Sequence, residues 1–211
     1  MTLFLIAGMP VFFIAILNAF FSNSFYGREL VMPLGLGVLW FFPCCALYIL
    51  FSDLIPDRYD GGALYLSRMG IDIGIPFFLC LISGLLTCRK KRSDGKEFFL
   101  HLAAFFTGFF MSFAQYVRII FSGWYAGYIY FLLPLLWMSL TLFTGLLLTL
   151  FLTGFGFQRL LFLLGLAALP FAMGAVPVLY VMNYHPFAWG LTLAFFVSAL
   201  LLVWRVPLRD T

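Results

Sequence analysis

Arg89-Lys90-Lys91-Arg92-Ser93-Asp94-Gly95-Lys96-Glu97 carries five of the chain's twelve Lys and Arg residues in nine positions. On either side the sequence turns apolar for long enough to cross a bilayer. A dense cationic run between two such segments marks a loop retained in the cytoplasm, since the Lys and Arg content of short loops sets the orientation of their neighbouring spans. The rest of the topology follows from that placement.

Of the 211 residues 64% are apolar and 9% charged, with mean hydropathy +1.10. Soluble domains carry about 25% charged residues, so this composition describes an integral membrane protein. Lipid offers no partner to a backbone amide, and a spanning chain is therefore helical or a closed barrel. Long unbroken apolar runs, rather than strict alternation, select helices. The expected fold is all-α: one polytopic transmembrane helical bundle over residues 1–211, with spans near 3–21, 30–52, 71–88, 98–122, 128–153, 160–182 and 187–204.

Seven spans with the basic loop inside put the N-terminus outside and the C-terminus in the cytoplasm. Arg28, the five loop cations, Arg159, Arg205 and Arg209 then face inward with four acids, a net of +5. Arg58, Arg68 and Arg118 face outward with Asp53, Asp57, Asp60 and Asp72, a net of −1. The first apolar stretch has no basic residue before it, and its first cation, Arg28, follows it. That order predicts a retained helix rather than a cleaved leader. The expected location is a bacterial-type inner (plasma) membrane.

The net charge of +4 lies in loops beside spans, so its partners are anionic lipid headgroups at Arg89, Lys90, Lys91, Arg92 and Lys96, not nucleic acid. Partner membrane subunits or a separate ATPase remain open as further partners. Cys44, Cys45, Cys80 and Cys88 form no C-x-x-C and lie in apolar runs, which argues against a disulfide framework or zinc ribbon. His101 and His185 sit at opposite depths and cannot share a haem or a metal. No metal or other cofactor is expected.

Between spans two and three the polar segment 53–70 contains the Gly61-Gly62 turn signal, and 63–69 is expected to form a short surface or re-entrant helix. Prolines fall inside the spans at Pro10, Pro33, Pro43, Pro76, Pro134, Pro170 and Pro177, each removing a backbone donor and bending its helix. The small pairs Gly70/Gly74 and Ala168/Ala172 mark faces where helices can approach closely.

Polar groups within the spans are the functional pointers, because an unpartnered charge at the centre of a span costs about 2.5–3.5 kcal/mol. Gly108, Ser112, Gln115, Arg118 and Ser122 recur every three or four residues along one face of the fourth span. Arg118 lies a turn from its outer end, where it can snorkel to the headgroups or pair with Asp53 or Asp72 at similar depth. A guanidinium held by carboxylates makes a charged site for a polar or anionic substrate. Asn183, Tyr184 and His185 reach the same surface. The candidate substrate-binding set is Asp53, Asp72, Ser112, Gln115, Arg118 and His185.

No catalytic residue is assigned. Asp57-x-x-Asp60-Gly61 lacks the carboxylates on the following helix that metal-dependent phosphoalcohol transfer needs. Nucleotide-binding, zinc-protease and serine-hydrolase motifs are absent from the sequence. Three readings follow. The first is a non-enzymatic transport protein, either a small carrier or the membrane subunit of a transporter, with a polar site open outward. The second is a structural or assembly subunit of a multisubunit membrane complex, and the third an intramembrane enzyme using the outer carboxylates.

Overall fold

The computed structural model describes residues 11, 13–15, 27–55, 61–88, 95–120 and 127–205. Six helical units among them are long and apolar enough to cross a membrane. They comprise α1 (Gly27–Asp53), α2 (Gly61–Arg68) running through a π turn (Met69–Gly74) into α3 (Ile75–Thr87), and α4 (Gly95–Ile120). A second π turn (Tyr128–Leu132) leads into α5 (Leu133–Thr153), followed by α6 (Phe157–Met173), α7 (Ala175–Val181) and α8 (His185–Arg205).

Among the described residues the span count is thus six, where seven were expected for the whole chain. The expected first span, 3–21, lies outside the described residues except for 11 and 13–15, which are helical. Phe13 packs there in a core cluster with Leu30, Phe99 and Leu100. Most of the basic loop, Asp57 and Asp60, Ser122 and the aromatic turn through Tyr125, and the C-terminal tail also lie outside the described residues.

The third expected span is longer than its apolar run. Residues 61–68 form neither a surface nor a re-entrant helix; they are the first two turns of one helical unit that ends at Thr87. No proline falls between Gly61 and Ile75, so nothing removes a backbone donor there and the helix continues outward past the apolar boundary. At about 1.5 Å per residue, this unit is roughly 40 Å long. Gly61 and Thr87, its two ends, therefore lie at opposite ends of the bundle.

Both π turns precede a proline. Pro76 and Pro134 each stand in the first two positions of the α-helix that follows a π turn. A proline ring collides with the carbonyl four residues earlier in a regular helix, and the wider π turn gives that carbonyl room. The sixth unit breaks instead. α6 ends at Met173, Gly174 joins it to α7, and Pro177 follows. α7 closes with Asn183 at φ 64°, while Asn183 N–H bonds the Tyr180 carbonyl at 3.0 Å and Tyr184 N–H bonds that of Leu179 at 2.9 Å. This is a Schellman stop with Asn in the left-handed position, and it makes the reversal expected at 183–186.

α4 is the axis of the bundle. Its apolar window is 78% buried, against 22% for α1 and for α8, whose outer faces meet lipid. Phe98, Phe99, Phe105, Phe106, Phe109, Phe110 and Phe113 of α4 are all buried. Phe41 of α1 meets Phe109 edge-on at 6.0 Å, Tyr48 meets Phe113 at 4.8 Å, and Trp137 of α5 stacks on Phe110 at 5.2 Å. Each such pair contributes about 0.5–1.5 kcal/mol beyond its area.

α1 and α4 touch backbone to backbone. A Cβ added at Gly37 would lie 2.1 Å from the Phe105 carbonyl oxygen, and one at Gly108 would lie 2.1 Å from that of Leu34. Only glycine permits this crossing. Gly108 therefore serves packing rather than a polar surface. Ala168 and Ala172 are exposed and do not form a close helix contact in the bundle.

Candidate functional site

The antiparallel order of the spans brings the end of α1, α2 with its π turn, the end of α4, the second π turn and α7–α8 to one end of the bundle. A half-open cavity of about 330 Å³ lies there, lined by Tyr48, Ser52, Asp53, Arg68, Tyr116 and neighbouring apolar side chains. Asp53 is the last residue of α1 and exposed. An anion at a helix C-terminus is disfavoured by the peptide dipoles, and Arg68 across the pocket supplies the opposite charge. Ser52 Oγ donates to the Ile49 carbonyl at 2.9 Å, which leaves its oxygen able to accept.

Behind the pocket, Tyr128 Oη donates to Asp72 Oδ2 at 3.2 Å. This bond joins the two π turns, since Asp72 belongs to the first and Tyr128 to the second. Arg68 precedes Asp72 by four residues on the same helical unit, so two opposite charges stand near the Tyr128 hydroxyl. The aromatic chain continues outward: the Tyr180 ring lies 5.1 Å from that of Tyr128, and His185 lies 4.4 Å from Tyr180.

The structure divides the expected site. Asp53 lines the pocket, Asp72 stands behind it, and exposed His185 connects to Asp72 through two tyrosine rings. Asp72 does not open its span; it lies mid-helix, eleven residues after Gly61. Arg118 is placed elsewhere, its guanidinium over the Tyr130 ring at 5.8 Å. At roughly 100° per residue, Tyr116 projects about 160° round α4 from Arg118, and it is Tyr116 that lines the cavity. Ser112 Oγ bonds the Gly108 carbonyl of its own helix at 3.1 Å. Gln115 is half-buried and not among the described lining residues.

Arg68, Tyr48, Tyr116 and Tyr128 are the site residues that spacing along α4 did not find. A signal for one of them existed. Arg68 and Asp72 are four residues apart, an opposite-charge pair at helical spacing, but it is visible only once 61–74 is known to be helical.

Other polar groups at this end hold the framework. Tyr65 Oη donates to the Phe171 carbonyl, an acceptor in the last turn of α6 where carbonyls lose their helical partners. Among the thiols, Cys44 and Cys80 are buried in one core cluster, with Cys44 in hydrogen-bonding reach of Ser83. His101 Nδ1 donates to the Glu97 carbonyl at 2.8 Å.

No protein-family model matches this chain, and neither a curated protein nor a solved structure does.

Proposed function

We propose that this integral membrane protein is of transport type, a carrier or the membrane subunit of a transporter, whose substrate site is the Asp53–Arg68 pocket. The Lys and Arg bias of the loops supports an outward-facing pocket, and a bacterial-type inner membrane is the location we propose. The observation that carries the reading is a cavity with an acid, a guanidinium and two phenols, set against irregular helices in an otherwise lipid-facing bundle. Non-helical or strained backbone at membrane depth belongs where it is packed in protein or lines a cavity. The two π turns and the Gly174 break meet that condition, because they pack together: a Cβ at Gly174 would lie 2.5 Å from Met69 Cγ. They also provide the joints that alternating exposure of a site needs.

Ser52→Cys tests the proposal. In a carrier, an impermeant hydrophilic thiol reagent labels this position from the outside and, after the site turns over, from the inside of sealed vesicles. Labelling from neither side overturns the reading. Labelling from the outside alone favours the assembly-subunit alternative, whose support is the broad apolar surface of α1 and α8.

A further inference from the structure

A second concavity lies beside the polar pocket, on the other side of Ile55. It is a groove of about 380 Å³ with no polar surface, lined by Phe51 of α1, Gly70 and Gly74 of the π turn, Phe78 and Ile82 of α3, and Phe171 of α6. Gly70 and Gly74 leave it open because neither carries a side chain. Ile55 Cδ1 is the single neighbour that a Cβ at Gly70 would meet, at 3.0 Å. Ile55, which lines the charged pocket at the bundle's end, thus reaches the rim of the apolar groove at Gly70, and the two concavities adjoin there.

The dimensions suit one class of molecule. From Met69 to Ile82 the groove follows the helix for roughly 20 Å, enough for one leaflet of a hydrocarbon core about 30 Å thick. The polar end sets one cation, Arg68, among two acids, Asp53 in the lining and Asp72 behind it. Arg68 presents a planar fork of donors that suits phosphate oxygens and serves more than one acceptor at once, while exposed Asp53 can accept from an ammonium. A purely anionic headgroup would set a second negative charge against Asp53.

We infer that the two concavities together hold a phospholipid with an ethanolamine-type headgroup: phosphate on Arg68, amine on Asp53, one acyl chain in the groove over Gly70 and Gly74. This rests on the transport reading only in assigning the same pocket to substrate. It narrows the substrate class from a polar solute to a zwitterionic membrane lipid.

The test is native mass spectrometry of the full chain released from nanodiscs containing equal parts of phosphatidylethanolamine, phosphatidylcholine and phosphatidylglycerol. The wild-type chain retains one phosphatidylethanolamine, preferred about tenfold or more, as expected for charge-assisted bonds that the other headgroups lack. Arg68→Gln lowers retention about tenfold, Asp53→Asn shifts preference toward phosphatidylglycerol, and Ile82→Trp, which fills the groove, abolishes retention. Leu86→Trp, exposed on the same helix but outside the groove, behaves as wild type. Equal retention of all three lipids, or retention untouched by Ile82→Trp, identifies boundary lipid only and overturns the inference. Two outcomes separate this inference from the transport reading. Specific retention with one-sided labelling of Ser52→Cys leaves the lipid site and removes transport; two-sided labelling without specific retention does the reverse.

Discussion

Replacing Gly108 by Ala tests the central packing contact of the bundle. The new methyl carbon would lie 2.1 Å from the Leu34 carbonyl oxygen, where ordinary contact begins near 3.4 Å. The obstacle is backbone, so no rotamer change relieves it, and α1 must move by about 1 Å. A radial gap of that size forfeits a quarter to a half of each dispersion contact across the seam, weakening the Phe41–Phe109 and Tyr48–Phe113 pairs together. Adding about 1–3 kcal/mol for overpacking to the loss of a quarter to a half of two pairs contributing about 0.5–1.5 kcal/mol each gives a destabilisation of roughly 1–4.5 kcal/mol. For a chain of this size that corresponds to a fall in Tm of roughly 2–18 °C. Gly35→Ala is the internal control, because a Cβ there meets nothing within 4 Å and alanine favours the helix by about 0.5–1 kcal/mol. Thermal unfolding in a mild detergent should separate the two variants in opposite directions. Equal Tm values for both would refute the close crossing of α1 and α4.

Three further outcomes are expected. Tyr128→Phe removes a hydrogen bond to a carboxylate, at a cost of about 1.5–3 kcal/mol; a double-mutant cycle with Asp72→Asn should show coupling above about 0.5 kcal/mol, and additive effects would contradict the bond between the π turns. Tyr65→Phe uncaps the Phe171 carbonyl and should speed amide exchange around Gly174 relative to α4, so unchanged protection would remove Tyr65 from the junction. A reporter active only outside the cytoplasm should be silent when fused after Gly95 and active after Ile55; the reverse pattern would invert the bundle and place the pocket inside.

The helical architecture and the grouping of loops by end were legible because they depend on apolar length and on the placement of Lys and Arg. Which helix stands at the centre was not legible. In water, the apolar face of a helix points inward; in lipid, both the interior and the surroundings are apolar, and the periodicity loses that meaning. The Phe residues of α4 and the exposed Leu, Phe and Trp of α1 read alike in sequence, although the first set is buried and the second faces the membrane. The same ambiguity misplaced the polar face of α4. Gly108 in that series is a packing contact and Arg118 belongs to Tyr130, whereas the pocket residue of α4 is Tyr116. Asp53 and Asp72 lie at or just behind the cavity, as an acid near the end of an apolar run keeps its meaning in either solvent.

Whether the charges near the pocket hold the fold together or are kept for binding is decided by removing them together. Arg68 and Asp72 are half-buried, so a single loss leaves a partner partly desolvated and destabilises whichever role is correct, by less than the roughly 3–5 kcal/mol that breaking a fully buried pair costs. Replacing a whole buried cluster by apolar residues of similar volume is different: the desolvation cost disappears with the charges, and the result is commonly neutral or more stable by about 1–4 kcal/mol. Arg68→Met, Asp72→Leu and Tyr128→Phe combined should therefore yield a chain at least as stable as the native one, with the α1–α4 aromatic seam untouched. Ser52→Cys in that background should still be labelled from the outside but no longer from the inside, if the charged unit is what the moving part responds to. A triple variant that unfolds more readily than Tyr128→Phe alone would show that the cluster clamps the π turns, and the case for a substrate site at Arg68 would fail with it.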